Sequence, residues 1–430
     1  DTIEDTDTER STQESVDAIF ESLEWLGIDY DEGPYFQSRR FDIYKEYIQK
    51  LVDSDHAYFC TCSPEDVDAM RKEAMAAGRN PKYNGKCRDK NLPPSNNSVI
   101  RFKAPKTGTT IVEDVVKGNI VFQNNELDDF IIQRSDGTST YNLAVVVDDI
   151  TMNINTILRG DDHVNNTPKQ IILYKAFGSP LPVFGHLPMV LGSDKKRLSK
   201  RHGAMSVTEY RDMGYLPDAL LNYLVRLGWS YGDQEFFTKN ELIEKFTIKN
   251  IGKSSGVFDK DKLLALNSEH IKQTSLSNMS RYLLPLLKEK GCAAEEGEFI
   301  EKVISTLNTR SKTIPEMAEG ALFYYNETII YDEKAAKKNL KPSYVETLKI
   351  LVKEIESLDP FNEQNLENAF KSVMEKLDLK FGKIAQPVRV ALTGSNVSPG
   401  IFEIIDVLGK EKTITRINDA IKFIHEKKTD

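Results

Sequence analysis

Apolar residues recur at helical spacing near the start of the chain. Val16, Ile19, Phe20, Leu23 and Leu26 form one stripe that stops at Gly27, and Ser11 with Glu14 reads as the capping box that begins it. The pattern predicts a core-facing helix. A second helix fits 39–54, where Tyr44, Tyr47, Ile48 and Leu51 share a face and the aromatics serve packing. Residues 58–62 read as a strand, and Ser63-Pro64-Glu65-Asp66 supplies an N-cap, a proline and an acidic first turn to a helix ending near Gly78. The period then changes to two, with β runs at 99–103 and 111–116, a turn at Gly118-Asn119, and a further run at 130–134 leading into Asp136-Gly137. Strand and helix alternate again through 156–159, 167–177 and 187–191, the layout of a parallel sheet. Beyond Gly203 the periodicity is almost entirely helical. A helix over 217–227 packs Leu220, Leu221, Leu224 and Leu227, and amphipathic turns continue from Ile271 onward.

A chain of 430 residues exceeds one ordinary core and predicts two to four domains. No apolar run approaches the ~20 residues that span a bilayer, so no membrane partner and a cytoplasmic location are expected. The formal net charge of −9 argues weakly against a general nucleic-acid binder but leaves room for a local basic face. It also makes one cluster conspicuous. Lys195, Lys196, Arg197, Lys200 and Arg201 follow the 187–191 run and the Gly192-Ser193-Asp194 turn, with Ser199 among them and Gly203 freeing the backbone beyond. Such a loop suits a polyphosphate, because hydroxyl, ammonium and guanidinium groups all reach phosphate oxygens.

Three of the four cysteines lie within 60–87, a spacing that suggests metal rather than disulfide. Cys60 and Cys62 sit two residues apart on one strand face and Cys87 returns later, which makes a three-thiolate zinc site that needs a fourth ligand. Cys292, far along the helical region, reads as a packed thiol.

Arg197-Leu198-Ser199-Lys200-Arg201 resembles the KMSKS motif of class I aminoacyl-tRNA synthetases, in the form typical of the glutamyl-tRNA synthetases. The flanking stretches agree in order: Ile3-Glu4-Asp5-Thr6-Asp7, Tyr141 to Asp149, Arg159-Gly160-Asp161-Asp162-His163, Asn166-Thr167-Pro168, Leu220 to Trp229, Ala391-Leu392-Thr393-Gly394 and Ser398-Pro399-Gly400. The resemblance covers essentially the whole chain. It implies a Rossmann-like α/β class I catalytic domain (1–57 and 136–195) interrupted by an α+β acceptor-stem insertion (58–135). An all-α part follows, with the KMSKS loop and stem-contact domain over 196–275 and an anticodon-binding domain over 276–430.

The implied function is glutamate–tRNA ligation in protein synthesis, with ATP, Mg2+, L-glutamate and tRNA(Glu) as cofactors and partners, in a monomer. The resemblance assigns Lys200 to the phosphates, supported by Ser199, Arg197 and Arg201, with Asp162 and His163 at the nucleotide. Glu4 goes to the substrate ammonium, Tyr141 and Arg159 to the carboxylate side, Arg389 to tRNA, and Tyr83 to the fourth zinc position beside Cys60, Cys62 and Cys87, with Asp89 where a His ligand can occur. Four departures stand out. Thr2 takes the place of an Arg, Arg197 that of a Lys, and Asp161 that of a Glu, and the strand and loop bearing the family's HIGH motif are expected to precede Asp1, outside this chain. The last departure makes a catalytically inactive or fragmentary tRNA-binding protein the alternative expectation.

Overall fold

The computed structural model describes residues 2–5, 12–199 and 205–427. The chain divides into two compact units, Asp1–Thr208 with Leu221–Asp259, and Glu209–Leu220 with Lys260–Asp430. In chain order the elements begin with β1 (Thr2–Ile3), α1 (Gln13–Trp25), β2 (Tyr35–Phe36), α2 (Phe41–Asp53), β3 (Ala57–Cys60), α3 (Pro64–Ala76), β4 (Val99–Phe102), β5 (Thr109–Asp114), β6 (Gly118–Gln123) and β7 (Ile131–Gln133). They continue with α4 (Tyr141–Thr151), β8 (Thr156–Gly160), α5 (Thr167–Ala176), β9 (Val183–Leu187), α6 (Val207–Asp212), α7 (Pro217–Arg226) and α8 (Lys239–Lys245). Nine helices follow: α9 (Lys260–Gln273), α10 (Leu276–Glu289), α11 (Glu298–Leu307), α12 (Ile314–Tyr325), α13 (Glu333–Asn339), α14 (Val345–Glu356), α15 (Glu363–Leu377), α16 (Phe381–Thr393) and α17 (Ile401–Glu426).

Among the described residues, the first unit holds three small sheets. β1 and β2 pair in parallel, β3, β4 and β7 form an antiparallel sheet in that order, and the third sheet runs β6-β5-β9-β8. Its β8 and β9 are parallel from Thr156↔Val183 to Gly160↔Leu187, whereas β5 and β6 form an antiparallel hairpin that joins β9 at Asp114↔Phe184. The hairpin lies inside 58–135 yet shares this sheet with strands from 136–195, so backbone pairing crosses that expected boundary. Gly185 is required where β9 meets β8, since a Cβ there would lie 2.6 Å from Leu158 Cδ2. Tyr44, Ile48, Leu143, Val147, Ile171 and Leu173 are among the side chains of the apolar core of this unit.

The α2–α4 contact of that core contains a buried carboxylate. Asp148 accepts from Arg40 Nε at 2.7 Å, Gln37 Nε2 at 2.9 Å and Tyr44 Oη at 2.9 Å. Both carboxylate oxygens accept hydrogen bonds and the charge is paired, the condition under which a buried charge is tolerated. The second unit is a helical assembly around Met317, Leu351, Phe370, Ile384 and Ile404. Gly394 ends α16 at φ +77°, and a Cβ there would lie 2.2 Å from Ile330 O, which explains the glycine of the Ala391-to-Gly394 stretch.

Several expectations need correction. The strand expected at 187–191 is β9 at Val183–Leu187; Pro188 has no N–H to donate and ends the ladder. α1 is capped by Thr12, whose side chain accepts from Ser15 N–H at 3.3 Å, while Ser11 lies outside the described residues. The expected stripe of α1 is buried only in part: Val16 and Leu26 are each 7% exposed, whereas Ile19 is 48% exposed and Phe20 leans on Tyr30 with ring centroids 6.1 Å apart. Leu224 is likewise exposed, because the buried face of α7 runs through Ala219, Leu220, Asn222 and Tyr223 instead.

The Asp148 cluster yields a stability prediction. Asp148→Ala leaves the mostly buried Arg40 and the Tyr44 hydroxyl without their acceptor, a loss of about 3–5 kcal/mol. A melting temperature lowered by on the order of 10 °C is expected by scanning calorimetry. An unchanged melting temperature would show that water replaces the carboxylate.

Candidate active site and metal centre

Short elements bring the N-terminal acid to the sheet. Asp5 accepts from Ser38 N–H at 2.8 Å and from Ser38 Oγ at 2.6 Å, which ties the chain after β1 to the segment after β2 and sets Glu4 between them. Glu4 keeps an exposed face, but burial of its carboxyl by the surrounding protein raises its pKa against the lowering pull of His163 and Arg159. Tyr141 opens α4, and its hydroxyl lies 3.0 Å from His163 Nδ1. Burial, then the charge of Glu4, raises the Tyr141 pKa, while Arg159 lowers it by charge and by a hydrogen bond. Glu4, Tyr141, Arg159 and His163 therefore converge on one spot.

Arg159 stands near the C-terminal end of β8, the edge where parallel sheets place ligands. Its Nη2 donates to Thr167 Oγ1 at 2.8 Å and to Gln170 Oε1 at 2.7 Å, and its Nε faces His186 Nε2 at 3.3 Å. Gln170 Nε2 in turn donates to Asn142 Oδ1 at 3.2 Å, linking α5 to α4 beside Tyr141. Behind the arginine, His186 Nδ1 lies 2.5 Å from Asp114 Oδ2, both side chains fully buried. Burial lowers the His186 pKa and so does Arg159, against the raising effect of Asp114. Burial raises the Asp114 pKa, but N–H donors from Lys117 and Val116 and the His186 contacts outweigh it, so Asp114 titrates below the usual carboxylate range.

The residues expected at the nucleotide lie on short segments and loops. Asp162 Oδ2 lies 3.4 Å from Arg197 Nη2, and Asp161 accepts from Lys117 Nζ at 2.9 Å. The basic loop doubles back tightly: Gly192 N–H donates to Lys196 O at 2.8 Å, Leu198 N–H donates to Val190 O at 2.9 Å, and Lys195 adopts φ 61°. Arg197 is 69% exposed, available to a ligand rather than committed to the core. Lys200 and Arg201 lie outside the described residues, and Ser199 is the last described residue before them. Arg389 is far along the chain on α16 in the helical unit; its Nη1 donates to Pro399 O at 2.6 Å and Ser398 O at 3.1 Å, pinning the segment before α17.

The cysteines come together as a cluster whose sulfurs all lie within 4.8 Å of one another, with Cys62 and Cys87 at 3.5 Å. Tetrahedral zinc thiolates have sulfurs about 3.8 Å apart, given Zn–S bonds of about 2.3 Å, so the set fits the metal. Cys62 lies past the end of β3, so a turn rather than a strand face aims its thiol. The Tyr83 hydroxyl completes the group at 3.5 Å from Cys60 Sγ and 3.8 Å from Cys62 Sγ, and it accepts from Cys87 N–H at 2.8 Å. Burial works to raise the Cys87 pKa, but hydrogen bonds from Tyr83, the Thr61 backbone and the neighbouring thiols bring it down to about 7. Burial and the bond to Cys87 push Cys62 up to about 11.

Known proteins are similar to this chain along nearly its whole length. Residues 2–265 match the profile described as tRNA synthetases class I (E and Q), catalytic domain, and residues 276–421 match an anticodon binding domain. A glutamate–tRNA ligase of Desulfosudis oleivorans is 61% identical over 422 residues, covering 98% of this chain and 90% of that protein. The chain belongs to the glutamate–tRNA ligase family. The family member of Geobacter sulfurreducens is 52% identical, covering 99% of this chain and 91% of that one. A crystal structure of the Elizabethkingia meningosepticum glutamate–tRNA ligase in complex with its amino acid matches with a TM-score of 0.85 at 30% identity, over 98% of this chain and 92% of that chain.

Family motifs point to Glu4, Tyr141, Arg159 and the basic loop but not to the residues that hold them. Thr167 and Asn142 lie in recognisable stretches, yet nothing local marks Gln170, Lys117, Asp114 or His186, because they act through contacts between elements distant in sequence. Asp149 was also missed as a titrating group. Burial, opposed by the Tyr174 hydroxyl at 2.8 Å, raises its pKa to about 6. The folded chain therefore retains a proton that the unfolded chain releases near pH 4, so stability declines as pH rises from about 4 to 6 and stays lower above. Asp149→Asn keeps the acceptor for Tyr174 and removes this cost. It should gain about 1–2 kcal/mol at pH 7 and nothing near pH 4 in urea titrations, after allowance for partial solvent screening. An equal gain at both pH values would refute the linkage.

Proposed function

We propose that this chain activates L-glutamate with ATP and transfers it to tRNA(Glu), with Glu4, Tyr141, Arg159, Asp162, His163, Arg197, Ser199, Lys200 and Arg201 as its working residues. The observation that carries the assignment is the convergence of Glu4, Arg159 and Tyr141, an acid, an arginine and a hydroxyl on one spot at the sheet edge. A substrate with one ammonium and two carboxylates meets opposite charge there. Glu4 takes the ammonium, and Arg159 takes a carboxylate through Nη1, the guanidinium nitrogen not engaged by Thr167, Gln170 and His186. Tyr141 adds a donor next to it.

The α-carboxylate oxygen then attacks the α-phosphorus of ATP, giving the mixed anhydride and releasing pyrophosphate; the terminal ribose hydroxyl of the tRNA next attacks the carbonyl carbon and AMP leaves. ATP is taken with Mg2+, whose charge offsets that of the phosphates. Lys200, with Arg197, Ser199 and Arg201 around it, places cations where charge grows on the departing pyrophosphate. His163 and Asp162 sit at the nucleotide side, Asp162 by orienting Arg197.

Residues 58–135 serve the acceptor stem, 196–275 the stem contact and 276–430 the anticodon. Arg389 acts on tRNA through the 398–399 segment that it pins. Zinc is held by Cys60, Cys62, Cys87 and Tyr83, where it crosslinks the loop after β3 to the segment after α3. The protein is a cytoplasmic monomer in this reading; no described helix is long and apolar enough to cross a membrane.

Two experiments bear on this. Lys200→Ala in the full-length protein should lower ATP–pyrophosphate exchange at least about a hundredfold and leave tRNA affinity within about twofold. Equal loss of both would assign the loop to tRNA instead. For the metal, about one zinc per chain is expected by elemental analysis, and Cys87→Ser should release it and lower the melting temperature. A zinc-free preparation of unaltered stability would mark the cysteines as packing residues.

A further inference from the structure

The buried Asp114–His186 pair makes no contact with the proposed ligand positions, yet it abuts the residue that does. Asp114 lies at the end of β5, and His186 lies on β9 next to Arg159 of β8, in register as Arg159↔His186. Asp114 Oδ1 accepts from Val116 N–H at 2.8 Å and from Lys117 N–H at 2.7 Å, which fixes the carboxylate plane. Its Oδ2 is then the only oxygen in position for His186 Nδ1, 2.5 Å away. A carboxylate with no proton accepts only, so the imidazole proton sits on Nδ1 and Nε2 presents a lone pair. That lone pair faces Arg159 Nε at 3.3 Å and Thr167 Oγ1 at 2.9 Å. The other tautomer, or the imidazolium, would point an N–H toward the Nε–H of Arg159, with only Thr167 Oγ1, which already accepts from Arg159 Nη2, to take it.

We propose that Asp114 and His186 are positioning residues: the carboxylate locks the Nδ1–H tautomer of His186, and the resulting Nε2 acceptor, with Thr167 and Gln170, holds the Nε/Nη2 edge of Arg159 so that Nη1 is left to meet the substrate carboxylate. This rests on the reading of Arg159 as the carboxylate contact. The neutral state of the imidazole agrees with the burial and the Arg159 charge that lower its pKa. The arrangement also ties specificity to the β5–β6 hairpin, since Asp114 supplies the lock and the neighbouring Lys117 holds Asp161 at 2.9 Å.

Asp114→Asn is the sharpest probe. The amide oxygen must stay with the Val116 and Lys117 N–H groups, so the amide nitrogen faces His186 Nδ1 and drives the proton to Nε2, where it opposes Arg159. Nitrogen NMR of histidine-labelled full-length protein should find His186 protonated on Nδ1 in the parent and on Nε2 in the variant. In aminoacylation assays the variant should raise the KM for glutamate roughly tenfold or more while the KM values for ATP and tRNA stay within about twofold.

His186→Gln, which keeps an acceptor at the Nε2 position, should stay near the parent, and His186→Asn, which keeps only the Nδ1 side, should behave like Asp114→Asn. The His186 pair decides the matter even if Asp114→Asn does not fold. An Nε2–H tautomer in the parent would overturn the proposal, and so would a glutamate KM unmoved in both Asp114→Asn and His186→Asn, or KM values for all three substrates rising together. Arg159→Lys separates this from the underlying reading: a glutamate KM unmoved there as well would place the error in the assignment of Arg159.

Discussion

A guanidinium that must stay charged, partly desolvated and fixed in direction is the constraint on which the first unit depends. Arg159 offers five N–H donors in a rigid plane, and any left without an acceptor after burial costs free energy. The fold meets this from one side only. Thr167, Gln170 and His186 take the Nε/Nη2 edge, and none of the three is charged. A carboxylate in their place would neutralise the arginine and remove its attraction for an anionic ligand. Using neutral acceptors keeps the full charge available at the open edge, while the compensating carboxylate, Asp114, stands one residue further back.

Around α4 charge is handled differently, by a direct ion pair at one acid and a neutral hydroxyl at the next. Asp148 is ringed by Arg40, Gln37 and Tyr44, whereas its neighbour Asp149 has the Tyr174 hydroxyl. Burial raises the pKa of the second acid to about 6. In the helical unit the buried cation Arg416 uses no carboxylate at all. Its Nη atoms donate to Leu392 O, Phe323 O and Asn326 O, the carbonyls left over near the ends of α16 and α12. Helix termini thus supply there the negative ends that side chains supply in the first unit.

How much of this was legible in the sequence depends on the range of the interaction. Elements set by local chemistry were readable: the Ser63 cap of α3 is a capping box with Asp66, and Tyr44, Ile48 and Leu51 do face the core of α2. Where an expectation failed, tertiary context or a missing donor decided. Pro188 moved a strand, and Ile19 and Leu224 remained exposed because periodicity marks a face without saying what covers it. The family motifs exposed the residues that would touch ligand, such as Glu4, Tyr141 and Arg159. They were silent on Asp114 and His186, which are 72 positions apart and meet only through the pairing of β5 with β9.

Charge balance explains why such a buried lock is worth its cost in a glutamate site. A glutamine side chain has the shape of glutamate but no charge, so packing distinguishes the two poorly. In the proposed reading, with Arg159 at the side-chain carboxylate, an amide there offers a neutral oxygen where a charged one is needed, and the arginine's charge goes uncompensated, a penalty of several kcal/mol if the guanidinium cannot turn toward another acceptor or water. A mobile arginine would relax and forgive the wrong ligand. Held on its rear edge by Thr167, Gln170 and a tautomer-locked His186, it cannot, and the rigidity of the pocket becomes part of its selectivity. On this argument the residues that never touch substrate contribute to specificity as much as the one that does.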